Sequence, residues 1–102
     1  MPYADPLSDA ELAAALATLP DWERDGTSIR RAIRCEGFTQ AVALVNAVAE
    51  AAERAGHHPD IAITRYRNVT FTLTTHAAGA VTRRDVELAA EIDRLAGRIG
   101  PA

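Results

Sequence analysis

The sequence predicts an α+β two-layer domain, a four-stranded antiparallel sheet with three helices on one face, in the order α-β-β-α-β-β-α. Three observations lead there. Two pairs of β-prone segments are each separated by only a turn's length, which favours hairpins and therefore antiparallel pairing. Three further segments carry apolar residues at three- and four-residue spacing or open on helix-capping residues. No internal repeat, low-complexity tract or Pro/Gly/Ser-rich linker interrupts the alternation, so residues 1–102 read as a single domain.

Ser8 and Glu11 have the spacing of a capping box, with Leu7 and Leu12 placed as its hydrophobic staple, and predict a helix from Asp9 to Thr18 that stops before Pro20. Trp22–Arg24 and Ile29–Cys35 flank Asp25-Gly26, a dipeptide that tolerates the positive φ of tight turns, and give a first hairpin. From Gln40 to Ala55, residues Ala41, Leu44, Val45, Val48, Ala52 and Ala55 form a helical stripe, and Gly56 suits a left-handed C-cap. Ile61–Tyr66 and Val69–His76 form a second hairpin around Arg67-Asn68. In its second strand Val69, Phe71 and Leu73 face one way, toward the helices, while Thr70, Thr72, Thr74 and His76 face a ligand or another subunit. Thr82 with Asp85 caps a last helix, Val81 and Val86 staple it, and Leu88, Ile92, Leu95 and Ile99 line it.

Composition narrows the function. The 102 residues are 48% hydrophobic with a formal charge of −3 and an isoelectric point near 5.5. That is enough apolar material for one core, and no basic footprint for direct nucleic-acid binding or anionic lipid. No basic segment followed by an apolar run opens the chain and no stretch reaches membrane-span length, so a cytoplasmic protein without membrane attachment is expected. Cys35, the lone cysteine, has no intrachain disulfide partner and reads as a small core residue.

All three histidines fall at edges of predicted elements: His57 and His58 after a helix C-terminus, His76 at a strand end. Imidazole has the side-chain pKa nearest neutrality, so such a set can give and accept protons without large tuning. Taken singly, each reads as well as a structural or solvent-facing residue; the adjacent pair, in a loop restricted by Pro59, points more strongly to a site. Zinc binding competes for the same residues, but adjacent side chains often point apart and no CxxC or HExxH accompanies them, so no metal is expected.

The spacing Glu53, three residues, His57-His58-Pro59, six residues, Tyr66, nine residues, His76, eight residues, Asp85 resembles the signature of the pterin-4a-carbinolamine dehydratases, also called 4a-hydroxytetrahydrobiopterin dehydratases. The segments VALVNAVAEAAERAGHHPDI, VTFTLTTH and TRRDVELAAEID, with the capped first helix and Trp22, extend that resemblance over nearly the whole chain. It implies a hydro-lyase that dehydrates the carbinolamine of a spent tetrahydropterin to a quinonoid dihydropterin, recycling the cofactor of a pterin-dependent hydroxylase. The pterin is then the substrate and no cofactor is needed. The resemblance places catalysis on His57, His58 and His76, with His57 and His76 as the main proton-transfer pair, either being acid or base, and His58 orienting substrate as well. It places pterin contacts at His57, His58 and Pro59 and at Thr75, His76, Ala77 and Ala78, and gives Glu53 and Asp85 supporting roles. It also implies a homodimer or homotetramer using sheet edges and the helix around Val42 to Glu53.

Two departures bear on affinity. Ala77-Ala78-Gly79-Ala80-Val81 stands where relatives often carry an acidic residue and a Gly-Gly-Leu-like turn, Ala80 tolerating positive φ less well than glycine; and Ile61 stands near an aromatic position. The rival reading is a dehydratase-like binding or assembly module, of coactivator or assembly-factor type. A scaffold has no chemical need for the histidine set, which is complete here.

Overall fold

The computed structural model describes residues 5–99. Its elements are α1 (Asp9–Ala17), β1 (Glu23–Asp25), β2 (Ser28–Arg34), α2 (Phe38–Ala55), β3 (Asp60–Thr64), β4 (Asn68–Leu73) and α3 (Arg83–Ile99), so the predicted class and order hold. The strands pair antiparallel throughout in the order β1-β2-β4-β3, which leaves β1 and β3 as edges.

The core forms where the sheet meets the helices. Ile29 and Ile33 of β2 and Val69, Phe71 and Leu73 of β4 are buried against Leu12 of α1, Leu44 and Val48 of α2, and Leu88 and Ile92 of α3. The alternation of β4 is as expected, its Thr70 and Thr72 being half-buried on the other face. Cys35 belongs to this core, and burial pushes its thiol up, against a smaller lowering by Arg67. The first helix starts on a complete capping box: Glu11 N–H donates to Ser8 Oγ at 3.1 Å, and Ser8 N–H donates to Glu11 Oε1 at 2.8 Å. These bonds hold the Glu11 carboxyl below its usual value, so the cap stabilises at neutral pH and is lost as pH falls through the lowered value. Trp22 precedes β1 instead of opening it. Its indole N–H donates to Asp93 Oδ1 at 2.8 Å, the atom Arg31 also reaches at 2.6 Å, and together they tie the sheet to α3.

Both hairpins differ from expectation in register. In the first, Asp25 pairs with Ser28, so the loop is Gly26-Thr27, and Gly26 supplies the positive φ (60°) that a two-residue loop needs at its first position. In the second, Thr64 pairs with Asn68 and the loop is Arg65-Tyr66-Arg67. Arg65 and Tyr66 both sit in the left-handed region, at φ 49° and 54°, a conformation that costs non-glycine residues roughly 1–2 kcal/mol each. Arg67 offsets this by donating through Nε to Cys35 O at 2.8 Å, by receiving the Cys35 N–H at its carbonyl, and by lying over the Tyr66 ring. Neither residue type signals such a turn.

The strand expected to reach His76 ends at Leu73. Its neighbours stop there: Leu73 faces Ile29 near the start of β2, and Thr72 faces Asp60, the first residue of β3. Thr75 keeps one bridge to Ala80, and its carbonyl receives the Ala78 and Gly79 N–H groups, turning the chain back toward α3. Gly79 takes the positive φ (64°) of this turn, so Ala80 is not asked to.

Candidate active site

The site gathers at one end of the sheet, where α2 ends, β4 ends and α3 begins. The α2 terminus is closed by two bonds, Gly56 N–H to Glu53 O and His57 N–H to Ala52 O, around Gly56 in the left-handed conformation (φ 62°). This is the Schellman arrangement, and it places the His57 backbone by the helix itself rather than by a free loop. Arg84, in the first turn of α3, donates to Gly56 O at 2.7 Å and satisfies another terminal carbonyl.

From there the two adjacent histidines diverge. His57 turns inward and is 8% exposed, whereas His58 stays at the surface. The His57 Nε2 lies 2.5 Å from Asp85 Oδ1. Asp85 is wholly buried, and its other oxygen accepts from Thr75 Oγ at 2.8 Å and from Thr82 N–H at 2.9 Å. Thr75 and Thr82 hydroxyls are themselves 2.8 Å apart, and Thr82 Oγ accepts the Arg84 N–H. Asp85 is thus the cap residue of α3 and the partner of His57 at once. His58 Nε2 meets Glu53 Oε2 at 2.6 Å, but these side chains are 65% and 76% exposed, so the pair orients a ring more than it stabilises the fold.

His57, His58 and His76 line a single cleft of about 220 Å³ together with Gly56, Thr74, Thr75, Ala77 and Arg84. Thr75 lies across its floor through the bond to Asp85, while His76 and Ala77 are exposed on the turn after β4. Among the other expected contacts, Pro59 and Ala78 are not cleft-lining, and the Ala78 N–H is spent within the turn on Thr75 O. Tyr66 of the signature lies at the opposite end of the sheet, in the β3–β4 turn, and Ile61 lies on the edge strand. Among the described residues, no group of three or more His, Cys, Asp and Glu side chains is disposed to hold a metal ion. A larger cavity, about 300 Å³, lies between α2 and α3; it shares His57 and Arg84 with this cleft and is otherwise lined by Ala51, Arg54, Glu87 and Leu88 among others. The smaller cleft is the chemically equipped one, because it alone collects all three imidazoles.

Arg84 is the cleft residue that the sequence reading passes over. A signal was present: Arg83-Arg84 puts two cations in the first turn of a helix, where the macrodipole disfavours them, so some compensating contact was to be expected. The compensation is the α2 terminus, whose carbonyls favour a cation.

Residues 5–95 match the family described as pterin 4 alpha carbinolamine dehydratase. A Nocardia farcinica protein with the provisional name pterin-4-alpha-carbinolamine dehydratase is 61% identical over 90 residues, 88% of this chain and 94% of that protein. A Mycobacteroides abscessus protein of the same provisional name is 48% identical, over 90% of this chain and 97% of its own. Among solved structures, a transcriptional coactivator/pterin dehydratase from Brucella melitensis superimposes with a TM-score of 0.86 at 29% identity, covering 91% of this chain and all of its own. A pterin dehydratase-like protein identified as a RuBisCO assembly factor in the alpha-carboxysome shares the fold, with a TM-score of 0.62 at 23% identity over 74% of this chain and 87% of that one.

Proposed function

The chain belongs to the pterin 4 alpha carbinolamine dehydratase family, and from that premise we propose that it dehydrates 4a-hydroxytetrahydropterin to quinonoid dihydropterin and water in the cytoplasm, recycling the cofactor of a pterin-dependent hydroxylase. The observation that carries this reading is the convergence of His57, His58 and His76 on one cleft, with His57 held from behind by a buried carboxylate. In the reaction the C4a–O bond breaks as the departing hydroxyl takes up a proton, and a ring nitrogen gives one up. Each transfer is accelerated roughly a hundred- to ten-thousand-fold by a positioned acid or base. His57 and His76 carry these transfers, and His58, steadied by Glu53, orients the pterin and contributes to the rate. Cleft backbone at His57 and at Thr75 to Ala77 offers the donors and acceptors that a flat heterocycle with both kinds of group requires. The pterin is the only small molecule this chemistry needs.

The deciding experiment supplies freshly generated 4a-hydroxytetrahydropterin to the purified protein and follows quinonoid product against the spontaneous reaction at matched pH. A rate proportional to enzyme concentration and above that background is expected. No acceleration at micromolar protein would overturn the proposal in favour of a binding or assembly role.

Association into a homodimer or homotetramer is part of the same proposal. The edge strand β3 leaves one side of its backbone unpaired and shows Ile61 37% exposed beside exposed Ala62, a pattern that an isolated domain has reason to cover. The face of α2 from Val42 to Glu53 is the second contact. Light scattering should give a mass of two or four chains; a monomer throughout the micromolar range would contradict this. No helix among the described residues is long and apolar enough to cross a membrane.

A further inference from the structure

The hydrogen-bond chain behind the cleft determines which nitrogen of His57 is free. Asp85 Oδ2 receives two donors, the Thr82 N–H and the Thr75 hydroxyl. Because Thr75 has one hydroxyl proton and gives it to Asp85, the 2.8 Å contact between the threonines must use the Thr82 proton, donated to Thr75 Oγ. Thr82 Oγ in turn accepts the Arg84 N–H at 3.2 Å. Every side-chain hydrogen in the cluster therefore points toward the carboxylate, and among the described residues Oδ1 is left with a single partner, His57 Nε2 at 2.5 Å. With Asp85 as a carboxylate, which only accepts, Nε2 brings the proton. His57 Nδ1 has no bonding partner among the described residues. Among the described residues no buried side-chain nitrogen or oxygen lacks one, so Nδ1 reaches solvent.

We infer that Thr75 and Thr82 are positioning residues that, through Asp85, hold neutral His57 as the Nε2–H tautomer, so that His57 exchanges protons with the pterin through Nδ1. On this proposal Nδ1, the ring nitrogen that reaches solvent, presents a lone pair to the pterin when the ring is neutral. When Nδ1 carries a proton the ring is an imidazolium whose charge faces Asp85, so the same nitrogen can deliver that proton and return to the starting tautomer. Free imidazole populates both tautomers, and a ring presenting Nδ1–H would have to turn Nε2, then unprotonated, against the carboxylate, two acceptors without a hydrogen between them. Thr82 has a second duty, since its hydroxyl caps the Arg84 N–H at the start of α3. The role given to Nδ1 in the reaction rests on the dehydratase reading; the tautomer itself does not.

The test therefore joins a measurement without substrate to one with it. Long-range proton–nitrogen correlation spectra of protein labelled with ¹⁵N-histidine, recorded above the titration range of its imidazoles, should show His57 in the Nε2–H form alone. Thr75→Val and Thr82→Val, which delete one hydroxyl at nearly constant shape, should release a mixture of tautomers and lower kcat roughly ten-fold or more with KM little changed. Thr75→Ser and Thr82→Ser should restore both readouts. Wild-type His57 found as the Nδ1–H form, or as a mixture, overturns the inference even if the valine variants do not fold. Folded valine variants with wild-type spectra and kcat overturn the role of the threonines. A wild type with locked His57 but no dehydratase activity overturns the proposed function and leaves the latch standing.

Discussion

His57→Ala and His76→Ala will each lower the maximal dehydration rate roughly a hundred-fold or more, because alanine can neither give nor take a proton. The two substitutions are not structurally equivalent. His76 is exposed on the turn after β4 and, among the described residues, its one bond there, from Gly79 N–H, is to the backbone carbonyl that alanine keeps, so its alanine variant should retain the melting behaviour of the parent. His57 is buried against Asp85, and its removal leaves Oδ1 unpartnered, so some stability is lost with the activity. His58→Ala, at an exposed position, should raise apparent KM as well as lower the rate. Initial rates corrected for spontaneous dehydration decide the matter. Near-parental turnover in both principal variants would remove the histidines from proton transfer.

Asp85→Ala should cost the fold several kcal/mol, since each buried donor left without an acceptor costs roughly 1–3 kcal/mol. Three donors converge on this carboxylate: the His57 ring, the Thr75 hydroxyl and the Thr82 N–H. An alanine satisfies none of them and leaves a void as well. A small domain has about 5–15 kcal/mol in total, so the loss is a large share of the whole. Asp85→Asn should fall between, because one of its two polar ends is a donor where the site supplies only donors. Urea titration followed by the Trp22 fluorescence and by circular dichroism would measure both. A midpoint for Asp85→Ala within a few tenths of a molar of the parent would show that these bonds contribute little.

Much of this arrangement was legible in the sequence, for local reasons. The capping pairs Ser8–Glu11 and Thr82–Asp85, the stripe of α2 and the alternation of β4 are each written within a few residues of one another. What escaped is what the chain decides at a distance. The cap pattern accounts for one oxygen of Asp85, while the other finds a histidine 28 residues away, and Trp22 finds Asp93 across 71. Loop register escaped for a related reason: Arg65 and Tyr66 take left-handed backbone that the contacts of Arg67 with distant Cys35 help to offset. The end of β4 at Leu73 depends on where β2 and β3 begin, which no periodicity within β4 records. The histidines were found by residue type and by the signature spacing. Their convergence needed the fold.

The four residues that join α2 to β3, Gly56 to Pro59, leave almost no slack, because the helix's own carbonyls fix the first two. An extra residue there would swing His57 off its carboxylate and carry β3 out of step with β4. The Arg65–Arg67 turn at the far end of the sheet borders no cleft residue. A reporter peptide or affinity handle grafted there would burden the hairpin and the Arg67–Cys35 bonds that brace it, away from the cleft, and the same addition beside Gly56 would dismantle the chemistry.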